Sequence, residues 1–456
     1  MRLRSVARRG RFDERRIRRD VRLGGVLGLD EGLATLRLGR DAESPFALLA
    51  RVFLGGEAVD RRLVAPLFDP LPGELLEEDG GVVRSRQRVE PFGGLLVASD
   101  WPRRPRRDHV LGIGGGTRLL AALTPRRPVE SALDLCTGSG ALALLAAQHA
   151  DRVVAVDLNP RALRLAVVNA ALNGVRGVDW RRGDLYRPVR GEIFDLIVAN
   201  PPFIVSPSNE FLFRDSDRED DSLTRAVVAG AAEHLSEGGY ALVIGSWVVS
   251  EGGRWSTAPR AWLKGAGCDA WLLRDSTESP SAYALQWNLR PGRTLESAAA
   301  AAGDWVDYYR RRGISAIATG IVILRRRKGR NWVRADELMR RPVGAAGPHV
   351  ERVFAAADLL RSLDADQGLL DLRLVPAPKT MLVERRHPSG AFERARLAVE
   401  EGLPLTGRLP EECVGVIAAL DGRRTVRRAI AAARASEQAC LPVMRDLLAR
   451  GLLAPA

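Results

Sequence analysis

Between Ser131 and Ile244 short apolar runs alternate with helix-length segments, and this alternation restricts the fold more than any other feature. Ala132 to Leu135, Val153 to Asp157, Val178 to Arg181, Ile193 to Ala199 and Tyr240 to Ile244 read as strands; Gly140 to Ala150, Asn159 to Leu172 and Leu223 to Leu235 read as helices. The middle helix is well bounded. Asn159 suits its cap, Pro160 its first turn, and Asn173-Gly174 a left-handed exit. Repeated βα units imply a parallel sheet with right-handed crossovers, hence an α/β fold. Ala270 to Leu273 and Ile314 to Leu324 fit two last strands, separated by an insertion and a helix from Leu295 to Arg311.

The strand ending at Ala199 runs into Asn200-Pro201-Pro202-Phe203, where two prolines forbid continuation of strand or helix. In an open parallel sheet ligands bind beyond the carboxyl ends of the strands, so Asn200 is expected to project its amide into that crevice, with Phe203 as an aromatic wall. The Asn200 side-chain oxygen and the Pro201 carbonyl then stand side by side as acceptors. Two acceptors beside an aromatic face suit a planar –NH2 on a conjugated carbon. Such a nitrogen is a weak nucleophile, and hydrogen bonds holding both its protons help to localise the lone pair toward an electrophile. Taken alone, the stretch also fits a tight strand-to-loop turn.

This stretch resembles the Asn-Pro-Pro-(Tyr/Phe) class of S-adenosylmethionine-dependent N-methyltransferases, the small-domain type, whose members act on ribosomal RNA guanine, on adenine and on a protein glutamine. The resemblance extends from about Pro105 to Arg327 and implies a seven-stranded Rossmann-like methyltransferase sheet with S-adenosyl-L-methionine as cofactor. In Asp134-Leu135-Cys136-Thr137-Gly138-Ser139-Gly140, a strand gives way to a helix. Gly138 and Gly140 let a ligand lie against bare backbone, and beyond Thr137 the helix N-terminus offers N–H groups to the cofactor carboxylate. Asp134 favours its cationic amino end. The family's loop carries glycine where this one has Cys136, which affects loop geometry. Asp157 ends the next strand, where a carboxylate accepts from both ribose hydroxyls. In Gly183-Asp184-Leu185, Asp184 is expected to accept from the adenine amino group and Leu185 to pack on the ring. Asn200, Pro201 and Phe203 are the expected catalytic residues, Asn200 also lining the cofactor site, and no metal is implied. A nicotinamide dehydrogenase would place an acid like Asp157 similarly, but Ala141 and Leu142 follow Gly140, so Gly-x-Gly-x-x-Gly is incomplete. Upstream, Leu111-Gly112-Ile113-Gly114-Gly115-Gly116-Thr117 leads into a helix from Arg118 to Leu123, with Thr117 as N-cap, and is expected over the cofactor.

At 456 residues the chain exceeds one ordinary core. The expected division is an arginine-rich arm at 1–29, a winged-helix-like domain at 30–104, the methyltransferase core at 105–328 and a C-terminal α+β accessory domain at 329–456. Short helices at Pro45 to Leu54 and Asp60 to Phe68 precede a hairpin of Val82 to Val89 and Leu95 to Ala98. Val333 to Leu363 looks helical, Leu369 to Arg396 carries short strand patterns, and helices close the chain from Pro410 to Leu453. The N-terminus lacks an apolar signal region, no stretch has membrane-spanning length, and Cys136, Cys268, Cys413 and Cys440 lie far apart without companion histidines. A cytoplasmic protein without membrane contact, zinc or disulfides is expected.

A net charge of +13 points to a polyanionic partner. The basic arm reads either as a contact for RNA phosphates or as a poorly ordered extension. Trp101-Pro102-Arg103-Arg104-Pro105-Arg106-Arg107 reads as a solvated linker or an RNA contact. These features place a base in ribosomal RNA first among targets. Against it stands the acidic run Asp215-Ser216-Asp217-Arg218-Glu219-Asp220-Asp221, whose plainer reading is a solvated loop capping the next helix. A protein glutamine is the alternative: the HemK/PrmC-like branch shares Asn-Pro-Pro, though it usually has Tyr at the position of Phe203. A small metabolite is the third. Oligomeric state is not legible, and the five histidines are scattered and receive no role.

Overall fold

A computed structural model describes residues 2–20, 43–68, 71–102, 105–215, 218–289 and 293–456. It divides into two compact units, residues 1–120 with 128–337, and residues 121–127 with 338–456. None of the described helices is long and apolar enough to cross a membrane.

The first unit is built on eight strands: β1 Val129–Leu135, β2 Ala150–Asp157, β3 Val178–Arg182, β4 Phe194–Ala199, β5 Leu235–Ser250, β6 Cys268–Glu278, β7 Ile314–Arg326 and β8 Val333–Glu337. Their order is β3-β2-β1-β4-β5-β7-β6-β8. All pair in parallel except β7, which is antiparallel to both β5 and β6. The order reverses between β1 and β4, and the crevice at their carboxyl ends is the place where an open sheet binds ligands. The strands are apolar on both faces, as burial demands: Ala132, Val153, Leu196 and Leu242 are buried on one, and on the other Leu133, Leu135, Val154, Ile197, Ala199, Ala241 and Val243 are buried with Val227, Val228 and Ala231 of the crossover helix Ser222–Glu233.

The seven expected strands are joined by an eighth. Val333–Glu337, read as helical, pairs in parallel with Ala270–Arg274 of β6. A free sheet edge recruits an extended segment more strongly than local propensity opposes it. The helix expected from Gly140 to Ala150 spans only Ala141–Ala146, because Val129 pairs with Ala150 and draws the following residues into β2.

Residues 2–20 correct the reading of the arm as a poorly ordered extension. They form helices Arg2–Arg9 and Glu14–Asp20, and Leu3, Val6, Ala7, Phe12 and Ile17 are buried with Phe46, Leu49 and Phe53. Leu3, Val6 and Ala7 fall on one helical stripe, leaving arginines on the other face. Residues 21–29 of the expected arm and 30–42 of the expected winged-helix-like domain lie outside the described residues. Arg88–Phe92 and Leu95–Ser99 form a hairpin about Gly93-Gly94, whereas Val82–Ser85 pairs with Leu76–Asp79 instead. The single strand expected over Val82 to Val89 is therefore split, each half taking its own partner.

The outer edge of Leu95–Ser99 meets the helix Pro160–Asn173, which Asn159 caps through the Arg161 N–H at 2.9 Å. Asn169 and Asn173, one turn apart on that helix, act as a surrogate strand. Asn173 accepts from Leu96 N–H at 2.9 Å and donates to its carbonyl at 2.7 Å; Asn169 does the same for Ala98 at 2.7 and 2.9 Å. The buried edge therefore keeps its hydrogen bonds without another strand.

The second unit has its own core. Helices Glu411–Ala419, Val426–Ala432 and Glu437–Ala449 enclose Val416, Ile417, Met444 and Leu447 with Leu397 and Leu409 of a three-stranded antiparallel sheet. Within this core the Cys413 and Cys440 sulfurs lie 3.0 Å apart as free thiols.

Candidate active site

Two loops at the carboxyl ends of the strands carry expected cofactor residues, and each contains a non-glycine residue in the left-handed region. Cys136, following β1, has φ +60°, and Leu185, beyond β3, has φ +47°. Such conformations cost on the order of 1–3 kcal/mol and persist only where their surroundings enforce them. After Cys136 the chain is pinned by Thr137 N–H on the Val156 carbonyl at 3.0 Å and by Gly138 N–H on Asp157 Oδ2 at 2.7 Å. Asp157 Oδ1 accepts from Asn159 N–H at 2.8 Å, so this carboxylate ties the first loop to the cap of the next helix. Beyond β3, Tyr186 stacks on His234 with centroids 4.6 Å apart and donates to the Val227 carbonyl at 2.8 Å, anchoring the segment after Leu185.

Asp134, Asp157 and Asp184 all lie close enough to raise the Cys136 thiol above its ordinary value, after burial as the first cause. Two of the expected acids meet this loop directly, Asp134 through Thr137 Oγ1 and Asp157 through Gly138 N–H. Asp134 is buried. Its Oδ2 accepts from Thr137 Oγ1 and from Ala143 N–H at 2.8 Å, while Oδ1 has no partner, and burial pushes the carboxyl up to about 7. A buried acid with one unsatisfied oxygen fits a cationic amino group. Gly138 has no atom within 4 Å of a would-be Cβ, so its surface is open to a ligand, whereas Gly140 faces Ala166 and Trp180. The residues present therefore fit S-adenosylmethionine at its amino end. At the adenine end the fit is looser: Asp184 is partly exposed and 3.4 Å from Arg218 Nη2, and Leu185 spends part of its surface on the core.

Asn200 stands past the end of β4. Its Nδ2 donates to Thr117 Oγ1 at 3.1 Å, which turns Oδ1 toward the acceptor role expected of it. Thr117 is not the N-cap of its helix, which spans Gly115–Leu123; it lies inside the first turn, and Arg118 N–H bonds the Gly114 carbonyl instead. Gly116 approaches the same amide, a Cβ there falling 3.4 Å from Asn200 Oδ1. The glycine segment thus covers the end of β4. Among the described residues no group donates to the Pro201 carbonyl. Phe203 is half-buried against an apolar cluster that contains Val205 and, from helices Pro280–Asn288 and Leu295–Arg311, Tyr283, Ala284, Trp305 and Tyr309.

The next residue pair, Ile204-Val205, is fixed by those two helices. Tyr309 Oη donates to the Val205 carbonyl at 2.6 Å, and Tyr283 Oη accepts from Val205 N–H at 3.3 Å. Side chains remote in sequence thereby satisfy both backbone groups of one loop residue. The loop closes on itself through Asp215, whose carboxylate takes Arg214 in a bidentate pair at 2.8 and 2.9 Å, Ser206 Oγ at 2.8 Å and the Glu210 and Phe211 N–H groups.

Residues 112–249 match the methyltransferase small-domain family. The release factor glutamine methyltransferase of Xylella fastidiosa (strain Temecula1) is 36% identical over 239 residues, 45% of this chain and 86% of that protein. The chain belongs to this methyltransferase family. A release factor glutamine methyltransferase from Cereibacter sphaeroides is 32% identical over 42% of this chain and 75% of its own length. A ribosomal protein uL3 glutamine methyltransferase from Bradyrhizobium diazoefficiens is 37% identical over 26% of this chain and 41% of its own. Members of this family are enzymes that use S-adenosylmethionine, and the Rossmann-like sheet is the one the strand order displays.

Within this methyltransferase the acidic run at 215–221 is not the solvated cap anticipated. Asp215 is buried in the pair with Arg214; Glu219 and Asp220 pair with Arg312 at 2.9 and 2.7 Å; and Asp221 accepts from Val248 N–H at 3.0 Å rather than from its own helix. Ser216 and Asp217 lie outside the described residues. Arg106 and Arg107 of the linker expected over 101–107 are exposed, whereas its flanks are anchored: Asp100 holds Arg161 bidentately and Val110 N–H at 2.8 Å, and His109 is buried against Phe213, its pKa lowered chiefly by burial. Arg103 and Arg104 lie outside the described residues. Thr117 was expected over the cofactor only as an N-cap, and Tyr283 and Tyr309 went unread as contributors to the site. A lone hydroxyl in sequence carries no sign of the backbone it will meet.

Proposed function

We propose that this methyltransferase transfers a methyl group to the side-chain amide nitrogen of a glutamine in a protein, with Asn200, Pro201 and Phe203 holding the amide. The observation that carries the reading is the pair of acceptors past β4, Asn200 Oδ1 set by Thr117 and the Pro201 carbonyl without a donor. Such a pair suits either a primary amide or a base amino group. The amide takes precedence over the RNA base because the relatives aligned over 86% and 75% of their own length are named glutamine methyltransferases.

S-adenosylmethionine supplies, when bound, a methyl group already activated by sulfonium charge. Asp134 would hold its amino group, Asp157 its ribose hydroxyls through the lone pairs left after Gly138 and Asn159, and Asp184 and Leu185 its adenine. Asn200 and Pro201 then have to bind both amide protons and hold the nitrogen in line, a contribution that grows as charge develops on that nitrogen. Phe203 fixes the amide plane. Positioning of this kind calls for no strong base.

The test is transfer of labelled methyl into a lysate of cells lacking this protein, followed by protease or RNase digestion. Label released by protease and recovered as N5-methylglutamine is expected. Label released by RNase alone would replace the glutamine reading with the base reading. Asn200→Ala should lower turnover by about 10²–10³-fold, the scale of one lost transition-state hydrogen bond, with cofactor affinity nearly intact. Unchanged turnover would remove Asn200 from the mechanism.

A further inference from the structure

The three-stranded sheet of the second unit, Thr380–Arg386, Phe392–Val399 and Thr406–Leu409, has one face committed to the core. Ala395, Leu397 and Leu409 are buried with Cys413, Val416 and Leu447, and Gly407 lies so close to Leu447 that no Cβ would fit. Strand alternation therefore sends Arg394, Arg396 and Arg408 to the opposite face, where all three are exposed. Arg396 stands directly across from Arg408, and Arg394 directly across from Arg385. Like charges in facing positions destabilise a sheet modestly, and a bound anion would relieve that cost.

The neighbouring carboxylates do not supply it. Glu393 pairs with Arg385 at 2.7 Å, Glu384 and Glu411 pair with Arg386, and Glu401 pairs with Lys379. Among the described residues none pairs with Arg394, Arg396 or Arg408. Their spacing is that of the sheet, about 6.8 Å along a strand and about 4.8 Å between strands. Three guanidinium groups on one face at backbone positions of regular spacing, each able to grip two oxygens at once, match a repeating anion better than the irregular carboxylates of an acidic protein. We propose that this face binds the phosphodiester backbone of single-stranded RNA, separately from methyl transfer and whatever nitrogen is methylated.

The experiment uses the full chain, without S-adenosylmethionine, and a fluorescent oligouridylate followed by anisotropy across a salt series. Each phosphate contact to a single strand contributes a slope of about 0.7 to log K against log salt, so Arg394→Gln with Arg396→Gln and Arg408→Gln should flatten the slope by about 2. Binding should weaken and methyl transfer stay at the parental value, while the melting temperature should not fall, since all three side chains are exposed and the facing charges are removed. Arg254→Gln, an exposed position of the first unit, should leave oligouridylate binding unchanged. Parental slope and affinity in the triple variant would overturn the proposal. So would tighter binding of polyglutamate than of oligouridylate, lost in the triple variant, which would assign the face to an acidic protein.

Discussion

Gly138 and Gly140 stand two residues apart in one loop, yet the structure gives them different work, and alanine at each should separate the two. At Gly140, φ is +82°, and a Cβ would lie 2.9 Å from Ala166 Cβ and 3.1 Å from the Trp180 ring. The left-handed backbone costs an L-residue about 1–2 kcal/mol, and overpacking of a close-packed contact adds about 1–3 kcal/mol. Gly140→Ala should therefore lose about 2–5 kcal/mol, a large share of a domain stability of roughly 5–15 kcal/mol. At Gly138, φ is +55° and nothing lies within 4 Å, so only the backbone cost of about 1–2 kcal/mol applies. The added methyl would instead enter space assigned to the cofactor and weaken its binding by about 10–200-fold, the range for one misplaced carbon in a fitted pocket. Urea unfolding followed by tryptophan fluorescence measures the first effect, and titration calorimetry with S-adenosylmethionine the second. The reasoning fails if Gly140→Ala unfolds within about 1 kcal/mol of the parent or if Gly138→Ala binds as the parent does.

Asp134 makes a signed prediction about pH. Its carboxyl is raised to about 7 from the ordinary 3.8, so between those values the native state holds a proton that the unfolded chain has lost. Its contribution to stability falls as pH rises through that window and levels off above about 7. Affinity for S-adenosylmethionine should rise as pH passes about 7, when the carboxylate forms to meet the amino group; Asp134→Asn should abolish that rise, and an unaltered pH profile would exclude Asp134 as the amine's partner. Tyr309→Phe keeps the ring and removes the donor to the Val205 carbonyl, which should cost about 1–3 kcal/mol and raise KM for the methyl acceptor without changing cofactor affinity. Equal stability and KM would deny that this hydroxyl supports the Phe203 wall. Deleting residues 2–20 withdraws Leu3, Val6, Phe12 and Ile17 from the core, each worth about 1.5–3 kcal/mol of burial, and should lower the melting temperature sharply. A parental melting curve would show that these helices add nothing to the fold.

The parallel sheet, its switch point and the glycine loop after β1 were legible because their information is local. Apolar runs of strand length, Asn159-Pro160 and Asn173-Gly174 as helix ends, and prolines after Asn200 each dictate backbone within a few residues. The order of Asp134, Asp157 and Asp184 along the chain was equally local, and hydrogen bonds tie the first two to the loop after β1. What only tertiary structure decided depends on partners far away in sequence. Asn169 carries no sign in the sequence, and Asn173 reads only as part of a helix exit, until the edge of Leu95–Ser99 gives them two backbone residues to satisfy. Val333–Glu337 became a strand because β6 offered an open edge, and the arginine-rich residues 2–20 became helices because their few apolar side chains found Phe46 and Leu49. The acidic run changed meaning for the same reason: Arg214, Arg312 and Val248 N–H, not its own helix, take its charge. A sequence states which groups need a partner, and free energy fixes that need. Which partner answers is settled by the packing that brings distant segments together.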